Sequence, residues 1–95
     1  MHYIWVDDIR TPTMPEATWC RNYDEAIVAL SKCGSNTVLC LDHDLGEEKT
    51  GYDIAKYIIE NDVSISLIQI HSANPVGRAN MNQLLTNYGY KVVLT

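Results

Sequence analysis

The sequence predicts an α/β domain whose core is an open parallel sheet of five strands. Two short apolar runs, Tyr3 to Val6 and Thr37 to Leu41, are each followed directly by carboxylates. Short apolar runs bounded by polar residues are typical of buried strands in parallel sheets. Amphipathic segments alternate with these runs, and this alternation indicates parallel, right-handed crossovers. With 95 residues, 46% of them hydrophobic, the chain predicts one domain over residues 1–95.

The first two strands are expected to be joined without a helix. Tyr3 to Val6 is the first strand because it is a short apolar run that ends at two aspartates. Pro12 and Pro15 exclude a regular helix from the segment that follows, because proline lacks the N–H donor of the helix ladder. Ala17 to Arg21 is then a weak second strand.

The first helix and the third strand follow from capping and periodicity. Asn22 is a suitable N-cap for a helix from Tyr23 to Lys32, and Gly34 stands where that helix should end. The apolar face of this helix consists of Ala26, Ile27 and Leu30. Thr37 to Leu41 is the third strand.

Two further helix and strand pairs complete the chain. A helix from Gly51 to about Asn61 has a core-facing stripe, and Ser66 to His71 is the fourth strand. A helix from Gly77 to Tyr88 ends at Gly89, and Lys91 to Leu94 is the fifth strand. The inward residues of these helices are Ile54, Ala55, Ile58, Ile59, Met81, Leu84 and Leu85.

Acidic residues and a histidine follow the first and third strands. In open α/β sheets, ligands bind beyond the carboxyl ends of the strands. If these two strands are neighbours, their trailing side chains form one acidic pocket. The residues expected there are Asp7, Asp8, Asp42, His43 and Asp44.

The order of elements resembles the response-regulator receiver domain over nearly the whole chain. The specific matches are Asp7-Asp8 after the first strand, Asp42 after the third, Gly51 before the next helix and Ser72-Ala73 after the fourth. The resemblance implies a receiver-like or flavodoxin-like sheet in the order 2-1-3-4-5, with helices mainly on one face. In that family the acid pair and the third-strand aspartate bind a divalent cation and accept a phosphoryl group, which the hydroxyl residue contacts.

The departures from the receiver pattern bear on function and assembly. The first receiver helix is replaced by Ile9 to Pro15, and the chain stops at Thr95, before the receiver's lysine-proline pair and last helix. The missing lysine makes a phospho-accepting receiver the least favoured function. Because both missing helices normally cover one sheet face, we expect either a homodimer through that face or a cover formed by Ile9 to Trp19.

Three segments resemble a divergent group described as cyclic-phosphate-processing receiver domains, found in phage and bacterial conflict or RNA-repair settings. The segments are WVDDIR, LDHDLG and HSANPVGRANM, with His43 beside Asp42 and His71 beside Ser72. The resemblance implies a small phosphoesterase acting on a cyclic phosphate of a nucleotide, an RNA end or an ADP-ribose derivative. The alternative is a non-catalytic binder that sequesters a cyclic nucleotide or docks on a partner protein.

The histidines are the candidate acid and base. Opening a cyclic phosphate requires a base to activate water and an acid to protonate the leaving alkoxide. Free imidazole titrates at ~6.5, so His43 and His71 suit these roles, with Asp42 as the third catalytic candidate. The alternative is that both are packed histidines with structural hydrogen bonds.

The carboxylates are the candidate metal ligands. Clustered carboxylates repel one another, and a hard cation stabilises them. Asp7, Asp8 and Asp42 are therefore expected to bind a divalent cation, Mg²⁺ or Mn²⁺. The alternative is a set of solvated loop carboxylates with capping roles.

The segment after the fourth strand is the candidate phosphate-binding site. Gly77 permits close approach at the start of a helix, and Arg78 offers a bidentate clamp. With Ser72 and Asn74, these residues are the expected substrate-binding group. An ordinary capped helix with a surface arginine is the alternative.

The charge of the chain restricts its partners. A net charge of −5 argues against a surface that coats nucleic acid, so Arg10, Arg78 or a metal would have to supply local positive charge. The first apolar stretch is too short for a signal peptide, and no stretch approaches the ~20 apolar residues of a membrane span. We therefore expect a soluble, cytoplasmic protein without a membrane partner.

Overall fold

The computed structural model describes all 95 residues and contains five strands and three helices. The strands are β1 (His2–Val6), β2 (Thr18–Cys20), β3 (Thr37–Leu41), β4 (Leu67–Ile70) and β5 (Val92–Leu94). The helices are α1 (Tyr23–Lys32), α2 (Gly51–Glu60) and α3 (Pro75–Asn87). All strand pairs are parallel, and their order is β2-β1-β3-β4-β5. The predicted receiver-like fold and strand order are confirmed.

The three helices pack on one face of the sheet. Every residue of β3 is buried, as expected for a central strand covered on both sides. On the helix face, Leu39 and Leu41 lie in one cluster with the inward stripes of the helices. The main helical members of that cluster are Ala26, Leu30, Ile54, Ala55, Ile58, Met81 and Leu85.

The opposite face has no helix and is covered by the crossover between β1 and β2. Trp5, Val38 and Cys40 are buried there, and Met14 and Ala17 of the crossover pack against them. The loop that was expected as an alternative cover therefore lies on this face. The homodimer stays a prediction, which light scattering at micromolar concentration would test.

The boundaries of several elements differ from those predicted, those of β1, β4 and β5 by no more than one residue at an end. Helix α3 begins at Pro75 and not at Gly77, because Asn74 is its N-cap and accepts a hydrogen bond from Gly77 N at 3.0 Å. Proline is favoured at the first helical position, where no N–H is needed. Strand β2 is limited to Thr18–Cys20, shorter at both ends than the predicted strand.

Helix α2 begins close to the end of β3. Thr50 and Asp53 form a capping box, in which Asp53 accepts a hydrogen bond from the Thr50 N–H at 2.8 Å. Gly51 N donates to His43 O at 2.7 Å, which ties the helix to the loop after β3. A methyl group on Gly51 would overlap the main-chain oxygen of Asp42 and lie 2.9 Å from Met81 Sδ.

We predict that Gly51→Ala lowers the free energy of unfolding by about 1–3 kcal/mol, the usual cost of inserting a methyl group into filled space. Urea denaturation followed by circular dichroism measures this change. Gly34→Ala is the matched control, because a methyl group there meets nothing within 4 Å. Its effect should stay within about 0.5 kcal/mol. Equal stabilities of the two variants would contradict the close approach at Gly51.

Candidate functional site

Three of the side chains singled out from the sequence meet at the carboxyl ends of β1, β3 and β4. Asp7, Asp42 and His71 each place a ligand atom within 4.8 Å of the other two. Asp7 follows β1, Asp42 follows β3 and His71 follows β4, and these strands are neighbours. Parallel pairing therefore brings together residues that are up to 64 positions apart in the chain.

The Asp7 carboxylate is almost fully engaged by its surroundings. Asp7 is only 1% exposed. Its Oδ1 accepts hydrogen bonds from Ile9 N at 2.9 Å and Arg10 N at 2.8 Å, so the loop turns back on the side chain. Its Oδ2 pairs with His71 Nε2 at 3.0 Å. A buried carboxylate with three donors is stabilised where it stands.

His71 is held rigidly between Asp7 and an indole. Its ring stacks on Trp5 with 4.4 Å between centroids and 15° between planes. While Nε2 faces Asp7, Nδ1 is buried and has no hydrogen-bond partner. A buried N–H without an acceptor is costly, so the neutral ring is best satisfied with its proton on Nε2.

Asp42 is the residue of the cluster whose pKa is raised. Burial raises the pKa of the Asp42 carboxyl above its usual value, and the nearby charge of Asp7 raises it further. The His43 N–H, which donates to Asp42 Oδ1 at 2.8 Å, acts in the opposite direction, as do His71 and Ser72. The net effect is a higher pKa, so the ionised form of Asp42 is disfavoured in the protein alone.

His43 lies on the other side of this loop and has a free nitrogen. Its Nδ1 contacts Asp44 Oδ1 at 2.9 Å, while Nε2 has no partner in the protein and is not buried. The ring packs against Gly77 so closely that a methyl group on that residue would overlap it. The His43 side chain is 17% exposed, so Nε2 is accessible and the ring is fixed.

Asp8 is placed apart from the other two carboxylates proposed as metal ligands. Its side chain lies over Gly46, where a methyl group would be 2.7 Å from Asp8 Oδ2. Gly46 also has a φ of +68°, a conformation that favours glycine. The ligand atoms that converge belong to Asp7, Asp42 and His71, and Asp8 is not among them.

The segment after β4 is organised chiefly by its own hydrogen bonds. The Ser72 hydroxyl is buried beside Asp42 and accepts a hydrogen bond from Asn74 N at 3.1 Å. The Asn74 side chain caps α3 through Gly77 N, so neither group is free in this arrangement. Arg78 differs, because its Nε is buried without a partner while its terminal nitrogens reach solvent.

Two residues at this site were not among the site residues predicted from the sequence. Trp5 donates its indole N–H to Arg10 O at 2.9 Å, and Arg10 Nη1 reaches His71 O at 3.4 Å. The WVDDIR segment contains both, but no local pattern indicates that the tryptophan turns back onto the arginine five positions later. Arg10 was considered only as a possible source of positive charge.

The donor set fits a divalent cation. Carboxylates are ligands that bind such ions, and burial and the charge of Asp7 both raise the pKa of Asp42. Asp42 and Asp7 would hold the cation, while His71 stays paired with Asp7 through Nε2. The cation's charge would lower the cost of ionising Asp42.

The largest cavity lies elsewhere. It is a groove of about 1020 Å³ between α1 and the edge of the sheet at β2, near the amino ends of the strands. Its lining includes Thr18, Val28 and Cys33 but no residue of the carboxylate cluster. The cluster lies at the opposite end of the sheet, and the chemistry of its side chains identifies it as the candidate site.

The sheet order and the carboxylates at the ends of β1 and β3 define a receiver-like α/β domain. The family model of the cyclic-phosphate processing receiver domain matches residues 2–87, nearly the whole chain. The chain belongs to this family, as the motifs indicated. A search of curated proteins gave no match. None of the three helices has the length and apolar character needed to cross a membrane.

We predict that Asp42→Asn stabilises the protein at neutral pH in the presence of EDTA. A raised pKa means that the protonated form fits the fold best, so this stability is present at low pH and lost as the pH rises through the folded-state pKa. Asparagine imitates the protonated form at every pH. The difference in urea midpoint should therefore be small at acidic pH and grow toward neutrality.

The same two proteins test for the cation. At Mg²⁺ or Mn²⁺ concentrations a hundredfold above the dissociation constant, the unmodified protein should gain about 2.7 kcal/mol of stability. Asp42→Asn should gain much less. Asp44→Asn, at an exposed carboxylate in the same loop, is the control and should respond as the unmodified protein does. If Asp42→Asn is less stable than the unmodified protein in EDTA, the expected stabilisation is wrong. If neither ion raises the stability of the unmodified protein, the expected cation site is wrong.

Proposed function

We propose that this protein is a small phosphoesterase that opens or removes a cyclic phosphate on a nucleotide, an RNA end or an ADP-ribose derivative. The observation that carries the proposal is the convergence of Asp7, Asp42 and His71 within 4.8 Å, on a chain of the cyclic-phosphate processing family. The free Nε2 of His43, on the residue next to Asp42, adds a group for proton transfer.

The proposed reaction is hydrolysis of one bond of the cyclic phosphodiester. Water attacks phosphorus and gives a proton to His43 Nε2. The bond from phosphorus to one ring oxygen breaks, and that oxygen takes a proton from the imidazolium of His71. The product is a linear phosphomonoester. A bound divalent cation would supply positive charge to the non-bridging oxygens, as would the exposed end of Arg78.

The two histidines have unequal freedom for this chemistry. His43 accepts a proton at Nε2 without breaking any contact, and Asp44 orients its ring through Nδ1. His71, as an imidazolium, would protonate the leaving oxygen only by exchanging Asp7 for substrate at Nε2, because Nδ1 is buried. We therefore assign the base role to His43 and the acid role to His71.

A sequestering function is the second candidate, and the geometry of His71 favours it. If His71 keeps its contact with Asp7, the site has one mobile proton carrier and would bind a cyclic phosphate without opening it. The protein would then act through its affinity for a cyclic nucleotide or through a partner protein.

The test is incubation with 2′,3′-cyclic nucleotides, ADP-ribose cyclic phosphate and cyclic dinucleotides, with Mg²⁺, Mn²⁺ or EDTA, read by phosphorus NMR. A new phosphomonoester signal supports the enzyme. A shifted but intact cyclic phosphate signal supports the binder. An unshifted, intact signal across the whole panel would reject both.

We predict that His43→Ala and His71→Ala each lower turnover by about 10² to 10⁴, the usual contribution of a general acid or base. His71→Ala should also lower the free energy of unfolding by about 1–3 kcal/mol, because it leaves a buried oxygen of Asp7 unpaired. His2→Ala, at an exposed histidine far from the cluster, is the control and should keep full turnover. Parent-level turnover in both variants would make the histidines structural.

A further inference from the structure

Arg10 is held at the edge of the carboxylate cluster by a closed ring of contacts. Its N–H donates to Asp7 Oδ1 at 2.8 Å, and its carbonyl oxygen accepts the Trp5 indole N–H at 2.9 Å. Trp5 stacks on His71, and His71 pairs with Asp7, which closes the ring. The main chain of Arg10 is therefore fixed on both sides by residues of the site.

The guanidinium of Arg10 is, in contrast, almost unused. It makes one long contact, from Nη1 to His71 O at 3.4 Å, and it forms no ion pair with any carboxylate. A guanidinium has five N–H donors, so four remain for a ligand. Arg10 is exposed, and its contact with the main chain of His71 places its positive charge at the edge of a site that contains two carboxylates.

The guanidinium groups of the other two arginines are in different environments. Arg21 lies over the Trp19 ring at 4.9 Å and donates to Asp8 O at 3.3 Å. Arg78 has its Nε buried, which limits the directions in which its fork can present paired donors. Arg10 thus combines an anchored main chain with a free planar fork, the arrangement that suits bidentate binding of phosphate oxygens.

We propose that Arg10 is a phosphate-binding residue of this site and contacts the non-bridging oxygens of the cyclic phosphate. The proposal rests on the proposed function for the identity of the ligand, and it adds a recognition residue to it. Trp5 and Asp7 act through Arg10 as positioning residues.

The test compares Arg10→Ala, Arg10→Lys and Arg21→Ala in binding inorganic phosphate and 2′,3′-cyclic AMP, by calorimetry at low and moderate salt. Arg10→Ala keeps the main-chain N–H and carbonyl that hold the loop, so its fold should be unchanged by circular dichroism. Its affinity for both probes should fall tenfold or more, as expected for loss of charged hydrogen bonds. Arg10→Lys should recover part of that loss, because it restores the charge without the fork.

Arg21→Ala removes the same charge from an exposed arginine nearby and should bind within about threefold of the parent. Equal losses in Arg10→Ala and Arg21→Ala would indicate general electrostatics and overturn the proposal. Unchanged affinity in Arg10→Ala, or no binding of either probe by the parent, would also overturn it. If Arg10→Ala loses binding while the parent hydrolyses no cyclic phosphate, Arg10 stands as a recognition residue and the enzymatic function fails.

Discussion

Parallel pairing of β1 with β3 carries Asp7 and Asp42 to the same edge of the sheet, where two partly or fully buried carboxylates must be accommodated side by side. Asp7 is stabilised by two backbone N–H groups and His71, whereas Asp42 keeps a raised pKa. Asp7 is therefore a carboxylate whose hydrogen bonds are satisfied, whereas Asp42 is a carboxylate that is costly to ionise. A cation bound beside Asp42 would lower the cost of ionising its carboxyl group, and this asymmetry is the reason for proposing Asp42 as a metal ligand.

Close approach to these carboxylates is achieved by leaving out side chains. Gly51 lets α2 begin against the main chain of Asp42, Gly77 lets α3 begin against the ring of His43, and Gly46 makes room for Asp8. Two of the three lie in helices, where the left-handed freedom of glycine is not needed. The missing side chains leave space for close packing, so the loop after β3 lies between the starts of two helices and the His43 ring packs against Gly77.

The sequence predicted the sheet order and the strand ends because both depend on apolar runs and on the family motifs. It predicted that Asp7 and Asp42 would lie near one another because each directly follows a strand, and it named His71 as a candidate acid or base at a neighbouring strand end. It did not predict that His71 would pair with Asp7 while Asp8 lies over Gly46, since strand ends specify an edge and not the direction of a side chain. The pairing of His71 with Asp7 depends on the Asp7 turn and the Trp5 stack, which involve residues that are distant in the sequence from His71.

The crossover between β1 and β2 replaces a receiver helix with a loop that must satisfy its own polar groups. The two tryptophans satisfy two carbonyl oxygens of this segment: Trp5 donates to Arg10 O, and Trp19 donates to Asp7 O at 2.8 Å. Each indole also covers the helix-free face with its ring. The same contacts that close the loop over the sheet therefore set the backbone of Asp7 and Arg10. The residues that pack on this face in place of a helix are therefore also the residues that position the Asp7 carboxylate and the main chain of Arg10 near Asp42.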